Sequence, residues 1–379
     1  MERTNPYLNN IAFFLLLIYA SILMLSNAGG LILMTLIFVI WIAQTLAYRR
    51  RDWLEYPLAK PIMALIGFKF LVLLVSGYEG RVGSVAEQLA LPLIYFIVPP
   101  IVVTSERRRK IIWIFIAGSI LAAGIGIIRF QLGVIPRAAS IVSGPYTFSI
   151  YMAIVVGVIL TMFAFSKNIG EKIFLALVSL PILTGLFFTL ERAAFLVAAL
   201  YVFILGIFKD RKLLVPIIAL AAFIYFFSPP TIDKLKERFD YSNKKSFYSH
   251  REVLLDIGLN HAEEVGFFGY GINSFPALVD VEAEPRITAK GISTWHNMYV
   301  EFLLDGGPMN LLILIWLLAA QAKYSFARFK KSTDPEQKIF QYAVLLLILC
   351  LVVVGFFANP LRDPIISMLV WMMFGLSLI

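Results

Sequence analysis

The sequence predicts an all-α integral membrane protein with about twelve transmembrane helices and one large, partly helical loop outside the membrane. Of its 379 residues, 60% are hydrophobic and only 15% are charged, and the mean hydropathy is +0.84. Soluble domains are roughly 45–50% apolar and about 25% charged. Apolar stretches also recur along the whole chain, and about 20 such residues are enough for a helix to cross a ~30 Å hydrocarbon core.

The apolar stretches can be assigned one by one as spans. They cover residues 11–28, 30–48, 57–76, 89–104, 111–130, 147–165, 172–190, 193–208, 213–228, 296–322, 339–357 and 362–379. The first stretch has no A-x-A-like cleavage site and leads directly into the second, so we expect no separate cleavable signal. An even number of spans predicts that both termini lie on the same side of the membrane.

Basic residues predict which side that is. Loops that follow even-numbered spans are short and basic, with the sequences RRRDWLEY, SERRRK, SKNIGEK, KDRK and KYSFARFKKSTDPEQK. Because basic loops are retained in the cytoplasm, both termini are predicted to be cytoplasmic. The net charge of +9 then reflects topology and contact with anionic membrane lipid, and no nucleic-acid partner is predicted.

The pattern divides the chain into three parts: spans one to nine (1–228), a large outer loop (229–295) and the last three spans (296–379). A loop of this length is usually functional or disordered. Its segment SHREVLLDIGLNHAEE has apolar residues at helical spacing, with Ser249 as the predicted N-cap and Arg251 in the first turn. The following GFFGYGINSF contains Gly269 and Gly271, which allow a tight turn or close approach to a ligand.

Several kinds of site are excluded by residue counts. One cysteine, Cys350, and three scattered histidines provide neither a disulfide framework nor a zinc signature. No phosphate-binding loop or nucleophile elbow is present. In VDVEAEP, the residues Asp280, Glu282 and Glu284 could hold a divalent cation, but a solvated acidic loop is the favoured interpretation. We therefore expect no cofactor and no metal as the favoured interpretation, with a divalent cation at this acidic segment as the open alternative, and we expect chemistry that depends on arginine, histidine and carboxylates.

His296 is the first candidate catalytic residue, because it stands where the large loop enters span ten. A neutral imidazole there could accept a proton near neutral pH. The alternative is an interfacial polar residue that caps the helix beside Trp295. Arg251 could hold an anion with two parallel hydrogen bonds, and the alternative is a solvated charge on the loop helix.

Arg192 and Glu191 interrupt nearly continuous apolar sequence in GLFFTLERAAFLVAAL. Charges at membrane depth are costly enough to suggest function, although the arginine could instead extend to the lipid headgroups. Arg137 is a weaker instance, and Lys69, in the middle of span three, is predicted to face the bundle interior. Cations around one histidine at the outer face suit an anionic substrate with a membrane-embedded tail, such as a lipid-linked diphosphate.

Three motifs, in this order, resemble those of the O-antigen ligases within the O-antigen ligase/polymerase superfamily. TLERAAFLVAAL is similar to the family's Ser-Arg-Gly motif, with Arg192 at the arginine and Glu191 and Ala193 in place of the usual neighbours. The large loop resembles the family's arginine-bearing helix followed by G-x-G and an aromatic residue. WHNMYVEFLLDGG resembles its His-Asn signature. The last two motifs supply Arg251, Gly269, Gly271, Phe275, His296, Asn297, Asp305 and Gly306.

The resemblance implies a glycosyltransferase of the GT-C type, acting at the periplasmic face of a Gram-negative inner membrane. It implies inverting transfer of O-antigen from undecaprenyl diphosphate to lipid A-core oligosaccharide. His296 would be the general base, and Arg192 and Arg251 would hold the departing diphosphate, so that added EDTA leaves the rate unchanged. The expected substrate-binding residues are Asn297, Arg137, Gly269 and Gly271.

Three alternatives stay open at this point. O-antigen polymerases and protein O-oligosaccharyltransferases of the same superfamily share the donor and differ in the acceptor. A transporter or lipid flippase would also be polytopic with intramembrane charges. Such a protein is expected to have interrupted helices in paired repeats with midplane charges, whereas the candidate charges here cluster on one face.

Overall fold

The computed structural model describes residues 5–76, 82–209, 211, 251–280 and 294–379. Within these ranges the chain forms helices and connecting turns, and no strand occurs among them. In chain order the α-helices are α1 (Pro6–Ile22), α2 (Asn27–Ala47), α3 (Ala59–Ser76), α4 (Val82–Ala90), α5 (Ile94–Ile101), α6 (Ser105–Gln131), α7 (Pro145–Phe165), α8 (Ile169–Phe188), α9 (Arg192–Phe208), α10 (Arg251–Glu263), α11 (Phe275–Leu278), α12 (Met298–Lys331), α13 (Pro335–Gly355) and α14 (Pro364–Leu376). The predicted all-α class is confirmed for this part of the chain.

Many of these helices are long and apolar enough to cross a membrane. Seven meet both criteria over at least 18 residues, namely α2, α3, α6, α7, α8, α12 and α13. Shorter apolar helices are α1, α9, α14 and the segment Val85–Ile101. Each predicted span except the ninth overlaps one of these helices, and the ninth, 213–228, lies outside the described residues. The chain is therefore a multi-pass membrane protein.

Helix starts are set by side chains that accept hydrogen bonds from the first turn. Thr104 accepts from the backbone N–H of Arg107 at 3.2 Å, so α6 begins at Ser105 and the basic SERRRK segment is helical. A second basic segment is also helical, because α12 continues to Lys331. The sequence predicts loops for both basic segments, whereas the cap and the long helix place SERRRK and the residues up to Lys331 within helices.

The helices form one bundle in which the last three spans pack among the earlier ones. Helix α7 lies near the centre, against α8, α9 and α13, and 78% of its apolar stretch is buried, compared with 22% for α2 and for α8. Helix α14 packs on α5, and α12 packs on α3 and α13. The peripheral helices expose apolar side chains, as expected for a surface in contact with lipid.

Helix α12 is interrupted near its outer end. Gly306 and Gly307 leave helical geometry, with φ/ψ of −139°/19° and 71°/−175°, and Pro308 follows. Gly307 adopts the left-handed region that glycine tolerates best. Residues 298–305 thus form a short helical segment that begins two residues after His296, and helix α10 packs on α12.

Candidate functional site

His296 lies two residues before α12, in a turn with φ of +49°. The N-cap of α12 is Asn297, whose Oδ1 accepts from the backbone N–H of Tyr299 at 3.0 Å and of Val300 at 3.1 Å. The interpretation of His296 as the helix cap is therefore wrong. Its imidazole is free of a capping role, and Asn297 holds the start of the helix next to it.

Three charged residues act on the imidazole of His296 from different parts of the chain. They are Arg251 at the start of α10, Arg362 between α13 and α14, and Glu191 between α8 and α9. Burial is the main cause that lowers the pKa of His296 to about 4; Arg251 and Arg362 act in the same direction, and Glu191 opposes them. The histidine is therefore neutral at neutral pH and can accept a proton.

Arg192 is brought to this site by a sharp turn between α8 and α9. Leu190 has φ of +55°, Glu191 occupies the N-cap position, and Arg192 is the first residue of α9. Arg192 lies within electrostatic range of both Arg251 and Glu191. Two of the predicted cationic residues and the predicted base thus share one region at one end of the helix bundle.

Arg251 is oriented by the packing of α10 on the bundle. Its guanidinium lies over the ring of Phe357, 5.9 Å from the ring centroid. The helix approaches α12 closely at Gly258, where a Cβ would lie 2.7 Å from the Cγ1 atom of Val300. A larger side chain at this position would push α10, and with it Arg251, away from His296.

Arg137 supports the turn that carries Arg192. Its Nε donates to the Thr189 carbonyl oxygen at 2.7 Å, and its guanidinium pairs with the carboxylate of Glu191. The Glu191 backbone N–H also donates to the Thr189 hydroxyl at 3.2 Å. Arg137 therefore contacts Thr189 and Glu191 and stabilises the turn between α8 and α9.

The two predicted glycines lie where the large loop meets α12. Gly269 has φ of +69°, and a Cβ there would lie 2.6 Å from the Leu304 carbonyl oxygen. Gly271 is buried with φ of +105°. Both positions require glycine for backbone conformation or close packing. We therefore infer that these glycines support the site by letting the loop pack closely on α12.

Sequence reasoning missed Arg362 as a member of this site. Its Nη1 donates to Glu301 Oε1 at 2.9 Å, and Nη2 donates to the side-chain oxygen of Asn273. The buried carboxylate of Glu301, five residues beyond His296, was the available signal, because such a group within a span requires a cation. Nothing local in the sequence identifies Arg362 as that cation.

Lys69 faces the bundle interior, as predicted. Its Nζ donates to Gln88 Oε1 at 2.9 Å and lies 5.2 Å from the ring centroid of Phe302. It is within electrostatic range of Asp305 and Glu301. Lys69 therefore belongs to a charged group that surrounds the outer end of α12.

The acidic segment is only partly described. Asp280 ends the described part of the loop, and Glu282, Glu284 and the predicted cap Ser249 lie outside the described residues. Within the described ranges, no group of three or more histidine, cysteine, aspartate or glutamate residues could hold a metal ion.

Backbone strain concentrates in the same three motifs. Of four non-glycine residues with positive φ in the described chain, Leu190, Asn273 and His296 lie in the turn before α9, in the glycine-rich loop and before α12. Each such residue costs of order 1–3 kcal/mol and persists only where its surroundings enforce it. Strain of this kind is typical of functional sites, and here it marks the segments that bring the candidate residues together.

The arrangement can perform two chemical tasks at one place. Arg192 and Arg251 can neutralise a polyanionic group, with Arg362 nearby, and the neutral imidazole of His296 can take up a proton.

Residues 177–315 match a family model described as O-antigen ligase. The match begins in α8 and ends in α12, so it includes Arg192, Arg251 and His296. No curated protein matches the chain.

Proposed function

Residues 177–315 carry the domain of the O-antigen ligase/polymerase superfamily of membrane glycosyltransferase-like enzymes, and on this premise we propose that the protein is an O-antigen ligase. It transfers O-antigen polysaccharide from undecaprenyl diphosphate to lipid A-core oligosaccharide. The observation that carries the proposal is the convergence of a neutral His296 with Arg251 and Arg192.

In the proposed reaction, His296 removes the proton from the acceptor hydroxyl, whose oxygen attacks the anomeric carbon of the donor sugar. The bond between this carbon and the diphosphate oxygen breaks, and its electron pair leaves with undecaprenyl diphosphate. Arg192 and Arg251 stabilise the charge that develops on this oxygen. Attack from the face opposite the leaving group inverts the anomeric configuration, and Asn297 and Arg137 keep the catalytic residues in place.

The membrane orientation supports a site at the periplasmic face of the inner membrane. The basic ends of α6 and α12 mark the cytoplasmic side, and His296, Arg192 and the start of α10 lie at the opposite end of the bundle. We propose that residues 1–228 and 296–379 form the membrane bundle and that 229–295 form the periplasmic loop, which contributes Arg251. The lipid tail of the donor then stays in the bilayer while its diphosphate reaches the arginines.

The pH dependence of the reaction reports on His296. The base must be unprotonated, so kcat/KM is expected to fall only as the pH drops through the His296 pKa of about 4. Bound diphosphate neutralises Arg251, which raises the pKa of His296, so the acid limb of kcat should lie at higher pH.

Two variants test this electrostatic assignment. Glu191→Gln removes a charge that raises the pKa of His296 and should move the acid limb of kcat/KM to lower pH. Arg137→Gln releases Glu191 from its ion pair and should move the acid limb of kcat/KM to higher pH. Shifts in the same direction for both variants would contradict this electrostatic assignment.

The function is tested by lipopolysaccharide gels from a strain that lacks the protein, with or without the wild-type protein. A ligase leaves bare core and accumulated lipid-linked polymer in the deletion strain, and the wild-type protein restores the ladder. Core that carries a single repeat would instead identify a polymerase. An intact ladder in the deletion strain would contradict both the ligase and the polymerase and favour a protein acceptor or transport.

A second experiment separates a ligase from a polymerase. Purified protein is incubated with the lipid-linked donor alone, and only a polymerase lengthens this donor.

A further inference from the structure

The break in α12 is filled by the glycine-rich loop. The Leu304 carbonyl oxygen has no helical donor four residues further on, because residue 308 is proline, and it accepts instead from the backbone N–H of Tyr270 at 2.7 Å. Gly269 allows this approach, because a Cβ there would collide with the same carbonyl oxygen. The loop backbone therefore lies directly on the helix backbone and satisfies it, as a buried interruption requires.

A chain of hydrogen bonds runs from this junction toward the candidate base. Oδ1 of Asp305, which is 7% exposed, accepts from the backbone N–H of Ser274 at 2.9 Å and from its hydroxyl at 2.8 Å. The indole Nε1 of Trp295 donates to the same hydroxyl oxygen at 3.2 Å. Trp295 is 2% exposed and packs edge to face on Phe275, with ring centroids 5.2 Å apart. The orientation of Trp295 is thus determined by both packing and hydrogen bonding.

His296 directly follows Trp295 and has an unfavourable φ of +49°. A residue in this region keeps its conformation only where the surrounding structure enforces it. Asn297 holds one flank as the cap of α12, and Trp295 holds the other. We propose that Asp305, acting through Ser274 and Trp295, is a positioning residue for the imidazole of His296. The proposal rests on the proposed function, in which His296 is the base.

The environment of Asp305 suits this role. Lys69 and Arg362 lie within electrostatic range of its carboxylate, which offsets the cost of a buried negative charge. Hydrogen bonds that a carboxylate accepts are stronger than those that a neutral oxygen accepts. Asp305 can therefore hold Ser274 in place from a buried position.

Trp295→Phe tests the chain, because it keeps an aromatic ring and removes only the N–H donor. With the purified, reconstituted protein, kcat is expected to fall roughly ten- to hundredfold while the KM values of donor and acceptor stay unchanged. Ser274→Ala should give a similar loss, and the double variant should lose no more than either single variant, since both break the same connection. Losses that multiply in the double variant would overturn the proposal.

Two controls separate positioning from general stability. Trp371→Phe deletes an equivalent buried bond, from Trp371 Nε1 to the Ser367 hydroxyl at 3.1 Å in α14, and should leave kcat unchanged. In a His296→Ala background, Trp295→Phe should cause no further loss, because its effect passes through the imidazole. An equal loss in both backgrounds would make Trp295 merely structural and overturn the proposal. Full activity of His296→Ala alone would instead contradict the proposed function.

Discussion

His296→Ala is expected to lower kcat by roughly 10²–10⁴-fold, the usual contribution of a positioned general base. The donor KM should change little, because in the proposed mechanism Arg192 and Arg251 still hold the diphosphate. The effect is measured as transfer of O-antigen to lipid A-core by equal amounts of reconstituted protein. His261→Ala is a matched control, since His261 lies on α10 with its ring 5.8 Å from that of Tyr270 and takes no part in the proposed chemistry.

His296→Gly sharpens this test. Glycine tolerates the φ of +49° without strain, so this variant removes the imidazole and relieves the backbone at the same time. Added imidazole should restore part of the rate of His296→Gly if the lost group is a base. If imidazole restores no activity to glycine and alanine variants that are shown to be folded, His296 acts in binding and not in proton transfer.

Arg251→Gln is expected to cause the second-largest loss, about 10²–10³-fold in kcat, because it removes a charge that stabilises the leaving diphosphate in the proposed mechanism. Arg251→Lys should recover only part of the rate, since an ammonium lacks the two parallel donors of guanidinium. The residual activity should also have a shifted pH profile. Loss of the Arg251 charge raises the pKa of His296, so the acid limb of kcat/KM should move to higher pH.

Arg129→Gln is the matched control for Arg251. Arg129 lies in the last turn of α6, where its Nη1 donates to the Ser140 carbonyl oxygen at 2.6 Å, so it is another cation near the outer face. Its replacement should leave both the rate and the acid limb unchanged. Equal losses for the two variants would attribute the effect to overall surface charge and contradict a specific role for Arg251.

The spans could be predicted from the sequence because bilayer thickness imposes a minimum apolar length, and the candidate residues because charge is rare in such a chain. His296, Arg192 and Arg251 were identified in this way, and the structure places them near one another. Their roles in catalysis remain predictions. Boundaries were less accurate, since α6 and α12 extend into segments whose charge suggested loops.

The contacts around the break in α12 could not be predicted in the same way. The glycines and proline at 306–308 are visible as helix breakers. However, their neighbours in space are Gly269 and Phe267, and a local pattern contains no information about such distant pairs. The pairing of Arg362 with Glu301 has the same origin, because it depends on how α13 and α14 return to the outer face.

That pairing has a consequence for biosynthesis. Glu301 enters the growing chain 61 residues before Arg362, its ion-pair partner. Until α13 and α14 have been made and inserted, the short segment before the break carries acidic groups that the hydrocarbon core does not accommodate. The apolar part of α12 beyond Pro308 is long enough to anchor the chain meanwhile. The outer segment can therefore settle only after Arg362 has been made and has reached Glu301.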